Sequence, residues 1–219
     1  MKQWNKIFKK EGKVFLEHQE DMPRIAKVFK EKGVKKILDL GCGSGRHTVY
    51  LARLGFDVYG IDIASDGMKL AKVWLRKEKL KANSKIGNIY KKLPYTNNFF
   101  DAVISTQTIH HEKIENIRKT IREVERILRP GGLIFVSVRK RKLGKNWKSG
   151  VIIEKYGLQR SRYKVIGPRT YVPIERGEKG LIHYLFNKEI IKKEFKNFSP
   201  RIWVDQDGRH YCFLGKLKK

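Results

Sequence analysis

The residues best suited to chemistry fall in four short stretches. Gly41, Gly43 and Gly45 stand at alternate positions after an apolar run, Ile37 to Leu40, that carries Asp39. A second apolar run, Phe56 to Ile61, ends in Asp62 and Ile63. Gly87-Asn88-Ile89 follows a short third run, and Thr106-Gln107-Thr108-Ile109-His110-His111 follows a fourth, Phe99 to Ser105. Glycines at such a turn let the backbone approach a ligand closely and take positive φ. A helix starting there presents free N–H groups and the positive end of its dipole to an anionic group. A carboxylate about 20 positions after the first glycine, at a strand end, suits bidentate hydrogen bonding to ribose hydroxyls. Histidines exchange protons near neutral pH. The set points to a pocket for an adenosine-containing ligand, with proton-handling groups across from it.

Alternating strands and helices must position these residues. Lys36 to Leu40 reads as a strand, Arg46 to Leu54 as a helix, and Asp57 to Ile61 as a strand. Ser65 to Leu80 reads as a helix with Ser65 at its N-cap, and Met68, Ala71 and Leu75 on its inner face. A short strand is expected near Ser84 to Gly87, then a loop at Leu93 to Asn98 and a buried strand at Phe99 to Ser105. Ile117, Ile121, Val124 and Leu128 mark a helix over about Ile114 to Leu128, which Pro130-Gly131-Gly132 is expected to stop. A fifth strand, Leu133 to Val138, follows. This rhythm predicts a parallel sheet with right-handed crossovers and a ligand at the carboxyl ends of the strands. Before it, Trp4 to Lys32 has helical spacing, with Pro23 opening a second helix. After it come a short helix near Phe186 to Phe195 and two strands, Ile202 to Asp205 and Tyr211 to Leu217, joined through Asp207-Gly208 as a hairpin.

Composition bounds the rest. A chain of 219 residues with 40% hydrophobic residues suits one α/β domain with a sizeable core. No apolar run reaches the roughly 18 residues of a membrane-spanning helix, and Met1 to Lys6 lacks an apolar signal core, so a cytoplasmic location is the default expectation. Cys42 and Cys212 have neither disulfide nor metal-site spacing, and no metal site is expected. The net charge of +28 is an argument about partners, favouring nucleic acid or an anionic surface. Between Arg139 and Val172 there are eleven Lys and Arg against one acidic residue, Glu154.

The pattern Asp39-x-Gly41-x-Gly43-x-Gly45 differs from the dinucleotide fingerprint and resembles motif I of the class I S-adenosylmethionine-dependent methyltransferases. The resemblance extends over about Val34 to Val138, through Leu93-Pro94, Phe100 to Ser105 and Leu128 to Gly132, and loosely to the closing hairpin. It implies a Rossmann-like seven-stranded, mostly parallel sheet with a closing antiparallel hairpin, in three α/β/α layers. Residues 1–219 would be a single methyltransferase domain, with 1–33 a helical cap and 139–186 a basic insert near the substrate side. The cofactor would be S-adenosyl-L-methionine, leaving as S-adenosyl-L-homocysteine. By resemblance, Asp39, Gly41, Cys42, Gly43 and Gly45 form its turn, Asp62 takes the ribose, and Ile63 packs on the adenine. Asn88, where the family often has Asp, would accept the adenine amino group beside Ile89, with Thr106 and Gln107 completing the site. That cofactor is already activated, so alignment and exclusion of water matter most, and a general base is optional.

His111, and next His110, are the catalytic candidates; the alternative is that one of them only packs under the loop. Arg169, Tyr171, His183 and Tyr184 are candidates for the substrate side. Trp4 and Trp147 are either lids or packing residues. No Asn/Asp-Pro-Pro-aromatic motif follows the fourth strand, and neither a Pro-Cys nucleophile nor a paired-Glu loop is present. This leaves O-, N- or S-methylation without a covalent intermediate. Three readings stay open: methylation of RNA or tRNA through the basic insert, methylation of a small metabolite, and a cofactor- or RNA-binding protein without turnover. The first is the leading expectation.

Overall fold

The structure, a computed structural model, describes residues 2–12, 16–140, 150–156, 159–175 and 177–218. Trp147 and parts of the 139–186 segment lie outside them. The elements run α1 (Lys2–Glu11), α2 (Met22–Glu31), β1 (Lys36–Leu40), α3 (Arg46–Arg53), β2 (Asp57–Asp62), α4 (Ser65–Lys77), β3 (Asn83–Ile86), β4 (Phe100–Thr106), α5 (Ile114–Ile127), β5 (Leu128–Arg139), β6 (Gly150–Tyr156), β7 (Gln159–Gly167), β8 (Thr170–Pro173), β9 (His183–Tyr184), α6 (Lys188–Glu194), β10 (Phe198–Val204) and β11 (His210–Leu217).

Seven strands form one sheet in the order β10-β11-β5-β4-β1-β2-β3. β1 pairs in parallel with β2 and β4, β2 with β3, and β4 with β5. β11 is antiparallel to both β10 and β5, which makes the closing hairpin. The central strands are apolar on both faces because successive side chains alternate across a sheet. On one face Leu38, Leu40, Val103, Ile134 and Val136 pack with Ile117, Ile121 and Val124 of α5 and Ile191 of α6. On the other, Ile37, Ala102, Ile104 and Phe135 pack with Met22, Ile25 and Phe29 of α2 and Leu51 of α3. The result is the expected three-layer arrangement. Strand order reverses direction between β1 and β4, so their carboxyl ends frame a crevice where ligands settle in such sheets.

Three local expectations are corrected. Pro130-Gly131-Gly132 does not stop α5. The helix ends at Ile127 and Leu128 is already extended, so the glycines lie within β5. There Gly131 takes φ +73° and the pairing with β4 slips between Phe100 and Ala102, so the tripeptide makes a bulge. Ser65 is not the cap of α4. Ala64 holds that position without a side-chain bond, and Asn5 of α1 supplies the missing acceptor, its Oδ1 taking the Asp66 N–H at 3.1 Å. Finally, the segment after β5 carries a second, antiparallel sheet, β6-β7-β8-β9, where sequence showed no clean periodicity.

Candidate active site

The carboxyl ends of β1, β2 and β4 open into a cavity of about 320 Å³, within the range of small-molecule sites. Gly41, Cys42, Gly43, Asp62, Ile63, Asn88, Ile89, Thr106, Gln107, His110, His111, Tyr171 and His183 line it. The two motifs from opposite ends of the domain half therefore meet, as expected of the strand ends.

At the glycine turn, Gly41 and Gly45 have φ of +84° and +91°, where an L side chain is strained. A Cβ on Gly41 would fall inside the Thr108 side chain, and one on Gly45 would lie 2.7 Å from Ala71 Cβ. Gly45 is thus the cap of α3 and a packing contact with α4, not a wall of the cavity. Gly43 leaves room for the Phe8 ring, which a Cβ would approach to 3.0 Å. Phe8 and Trp4, one helical turn apart on α1, roof the turn side of the cavity. Cys42 is buried with its thiol pointing at Met68 Sδ, 3.3 Å away, and burial pushes its pKa well up, so it is an inert packing group.

Asp62 closes β2 with both oxygens engaged by backbone. Oδ2 accepts the Gly43 N–H at 2.8 Å and Oδ1 the Ala64 N–H at 2.7 Å. The Ile63 backbone adds a third hydrogen bond, which leaves about one of the carboxylate's four lone-pair sites for a ligand hydroxyl. Burial nonetheless raises its pKa. Asp39 lies one layer below, buried in β1, where Thr48 Oγ1 donates to it at 2.8 Å. It supports the turn instead of lining the cavity. Burial pushes its carboxyl up to about 7, against the Thr48 hydrogen bond and Arg46, with Asp62 adding to the rise.

That shift has a consequence for stability. A carboxyl whose folded pKa exceeds its unfolded value stabilises the fold fully only below about pH 4, and the contribution is lost as pH rises toward 7. Asp39→Asn keeps an acceptor for Thr48 and removes the titration. Urea unfolding at pH 5 and pH 8 should show the wild type losing about 2–4 kcal/mol more than the variant across that interval. Equal losses would refute the assignment.

Asn88 Oδ1 accepts the Tyr90 N–H at 2.9 Å, which fixes the side chain at the rim. Tyr90 in turn donates its hydroxyl to the Thr108 carbonyl at 3.1 Å. Thr106 is held by His47. The Gln19 N–H donates to His47 Nε2 at 3.1 Å, so the ring proton sits on Nδ1 and is donated to Thr106 Oγ1 at 2.9 Å. Burial keeps this imidazole neutral by lowering its pKa. Gln107 takes φ +55°, turning the chain sharply at the end of β4 so that the histidine loop folds over the cavity.

Across from the turn, His110, His111 and His183 converge. Their ring centroids lie 4.3 Å (His110–His111), 4.5 Å (His111–His183) and 5.8 Å (His110–His183) apart. The Tyr184 N–H donates to the His110 carbonyl at 2.8 Å, which pins β9 against the loop. Tyr171 stacks on His183 at 4.8 Å and 14°, and the Glu178 carboxylate lies 3.5 Å from His183 Nε2. Two of the substrate-side candidates are placed away from the cavity lining. Side chains alternate along a strand, so if His183 faces the cavity its neighbour Tyr184 faces away, and Tyr184 packs in the core against Phe186. Arg169 is a turn residue with φ +55°, and its Nε donates to the Leu185 carbonyl at 2.5 Å. Sequence reasoning missed Phe8, Tyr90, Tyr163, Glu178 and Leu181, which complete the walls. Trp4 and Phe8 lie in the N-terminal segment expected to form a helical cap over the sheet or the cofactor, which did not single out Phe8 as a wall of the cavity.

Comparison with known proteins agrees with this geometry. Residues 38–136 match the methyltransferase domain family. The chain is 29% identical over 108 residues to a ubiquinone biosynthesis O-methyltransferase of Pelagibacter ubique, covering 49% of this chain and 43% of that one. It spans less than half the length of the first curated relatives it matches. Among solved structures, an S-adenosylmethionine-dependent methyltransferase from Clostridium acetobutylicum superimposes with TM-score 0.69 at 14% identity, over 100% of this chain and 99% of that one. CalS10 of Micromonospora echinaspora, an amino pentose methyltransferase with its S-adenosylmethionine bound, gives TM-score 0.65 at 15% identity, over 98% and 96%. Residues 38–136 are therefore similar to the methyltransferase domain, and the whole chain shares the fold of solved S-adenosylmethionine-dependent methyltransferases.

Proposed function

We propose that this protein transfers the methyl group of S-adenosyl-L-methionine to an oxygen or nitrogen of a small molecule, leaving S-adenosyl-L-homocysteine. The observation that carries this is one cavity lined both by the glycine turn with Asp62 and by the histidine cluster. The residues present fit the cofactor. Gly41 and Gly43 line the cavity without side chains, Asp62 stands at the end of β2 where a ribose hydroxyl would reach its carboxylate, and Asn88 with Ile89 bounds the adenine position. When bound, it supplies a methyl group already activated on a sulfonium.

The chain's own work is then alignment and exclusion of water. Trp4 and Phe8 shield the turn side, while Tyr163, Tyr171 and Leu181 wall the acceptor side with apolar surface. His110 and His111 would face the attacking atom. Burial lowers the His111 pKa to about 4, so it is neutral at physiological pH and accepts a hydrogen bond from an acceptor O–H or N–H, orienting it rather than fully removing its proton. The named relatives act in ubiquinone biosynthesis and on an amino pentose, which supports a small acceptor over RNA.

Labelled cofactor incubated with a fractionated cell extract tests this. Label should enter a low-mass fraction in the presence of the protein. Label entering RNA instead would overturn the small-molecule reading and favour phosphate contacts by the basic segment between Arg139 and Val172.

A further inference from the structure

We propose that His110, His111 and His183 form a binding site for a divalent transition-metal ion of the zinc type, facing the acceptor end of the cavity. One ligand atom from each ring lies within 4.8 Å of the others. A tetrahedral ion with metal–nitrogen bonds of about 2.0–2.1 Å needs its ligands about 3.3 Å apart, so closing the set takes side-chain rotations of about an ångström.

Several observations converge on this use of the rings. His110 is 4% exposed, and its Nδ1 has no hydrogen-bond partner among the described residues; His111 Nδ1 is likewise buried without one. A buried polar atom left unsatisfied costs about 1–3 kcal/mol, and native structures seldom carry such atoms without a ligand or a role. Both rings line the cavity. Their backbones are fixed before any ion arrives. The His111 N–H donates to the Thr108 carbonyl at 3.0 Å, and the Tyr184 N–H to the His110 carbonyl. Tyr171, stacked on His183, fixes the third ring, and Glu178 stands beside it as an orienting carboxylate or a fourth ligand. Sequence spacing gave no hint of this site, because His183 reaches the pair only through tertiary contact, with β9 paired to β8 and the Tyr184 N–H bonded to the His110 carbonyl.

The position suggests what the ion does, and this part rests on the methyl-transfer reading above. A hydroxyl acceptor entering the cavity would bind the ion through its oxygen and release its proton to water. The attacking atom would then be an oxyanion held between two cationic centres, and no histidine would need to carry the proton.

Untagged, chelator-treated protein titrated with cobalt(II) tests the site without reference to turnover. One equivalent should bind, with the visible d–d absorption of a four- or five-coordinate ion, and one equivalent of zinc should displace it. His110→Ala and His183→Gln should each abolish that absorption while keeping the wild-type far-ultraviolet circular dichroism. Glu178→Gln should weaken binding roughly 10–100-fold. Absence of the spectrum in folded wild-type protein, or an undiminished spectrum in the folded His110→Ala/His183→Gln double variant, would overturn the proposal. Cobalt uptake by a protein that then methylates nothing leaves the metal site standing and refutes the transfer reading instead.

Discussion

Gly41→Ala is expected to lower the melting temperature by roughly 4–20 °C and to abolish cofactor binding. Two costs combine. At φ +84° any L residue is strained by about 1–2 kcal/mol. The new methyl also has no space, because Thr108 occupies it; Thr108 itself is held by its Oγ1 donating to the Thr106 carbonyl at 3.1 Å. Overpacking of this kind costs about 1–3 kcal/mol, and for a domain of this size each kcal/mol moves the midpoint by about 2–4 °C. Adding Thr108→Gly clears the space and leaves only the backbone strain. The double variant should therefore melt above Gly41→Ala by several degrees. If it melts at or below the single variant, the close approach of the histidine loop to the glycine turn is not what excludes a side chain there.

Asp62→Ala should weaken S-adenosyl-L-methionine binding by at least tenfold and by up to about a thousandfold, read by calorimetry. The lower bound corresponds to one hydrogen bond to a charged acceptor, and the upper adds loosening of the turn as Gly43 and Ala64 lose their acceptor. Asp62→Asn separates these contributions. It keeps one oxygen and loses the charge, so it should fall between wild type and Asp62→Ala. Unchanged affinity in Asp62→Ala refutes the ribose assignment, whatever the transfer assay shows.

The cofactor half was legible in the sequence because its determinants are local. Apolar runs buried on both faces, glycines forced by φ, and an acidic residue at a strand end all announce themselves within a few positions. Asp62 and the histidine loop were found this way. The acceptor half was not, for reasons visible at particular residues. Val151, Ile152 and Ile153 carry β-branched character that marks β6, but the surrounding Lys and Arg drew attention to charge. In β7, Tyr163 is buried beside exposed Arg162 and Lys164, an alternation too short to stand out. Tyr184 and Arg169 were plausible by residue type, and only the phase of a two-residue strand and the sense of a turn decided against them. Asn5 capping α4 from another helix is a contact between segments far apart in sequence, with no local signature.

The bridge between Lys140 and Phe186 has a wider meaning. The chain leaves the main sheet at the end of β5, and Phe186 pairs beside Lys140, so the two ends of the intervening segment meet. Such a loop adds little closure entropy as it lengthens. A change of length between those two points would leave the strand order of the main sheet intact, but a change near β9 would not, because Tyr184 and Phe186 are built into the main core and the Tyr184 N–H holds the His110 carbonyl.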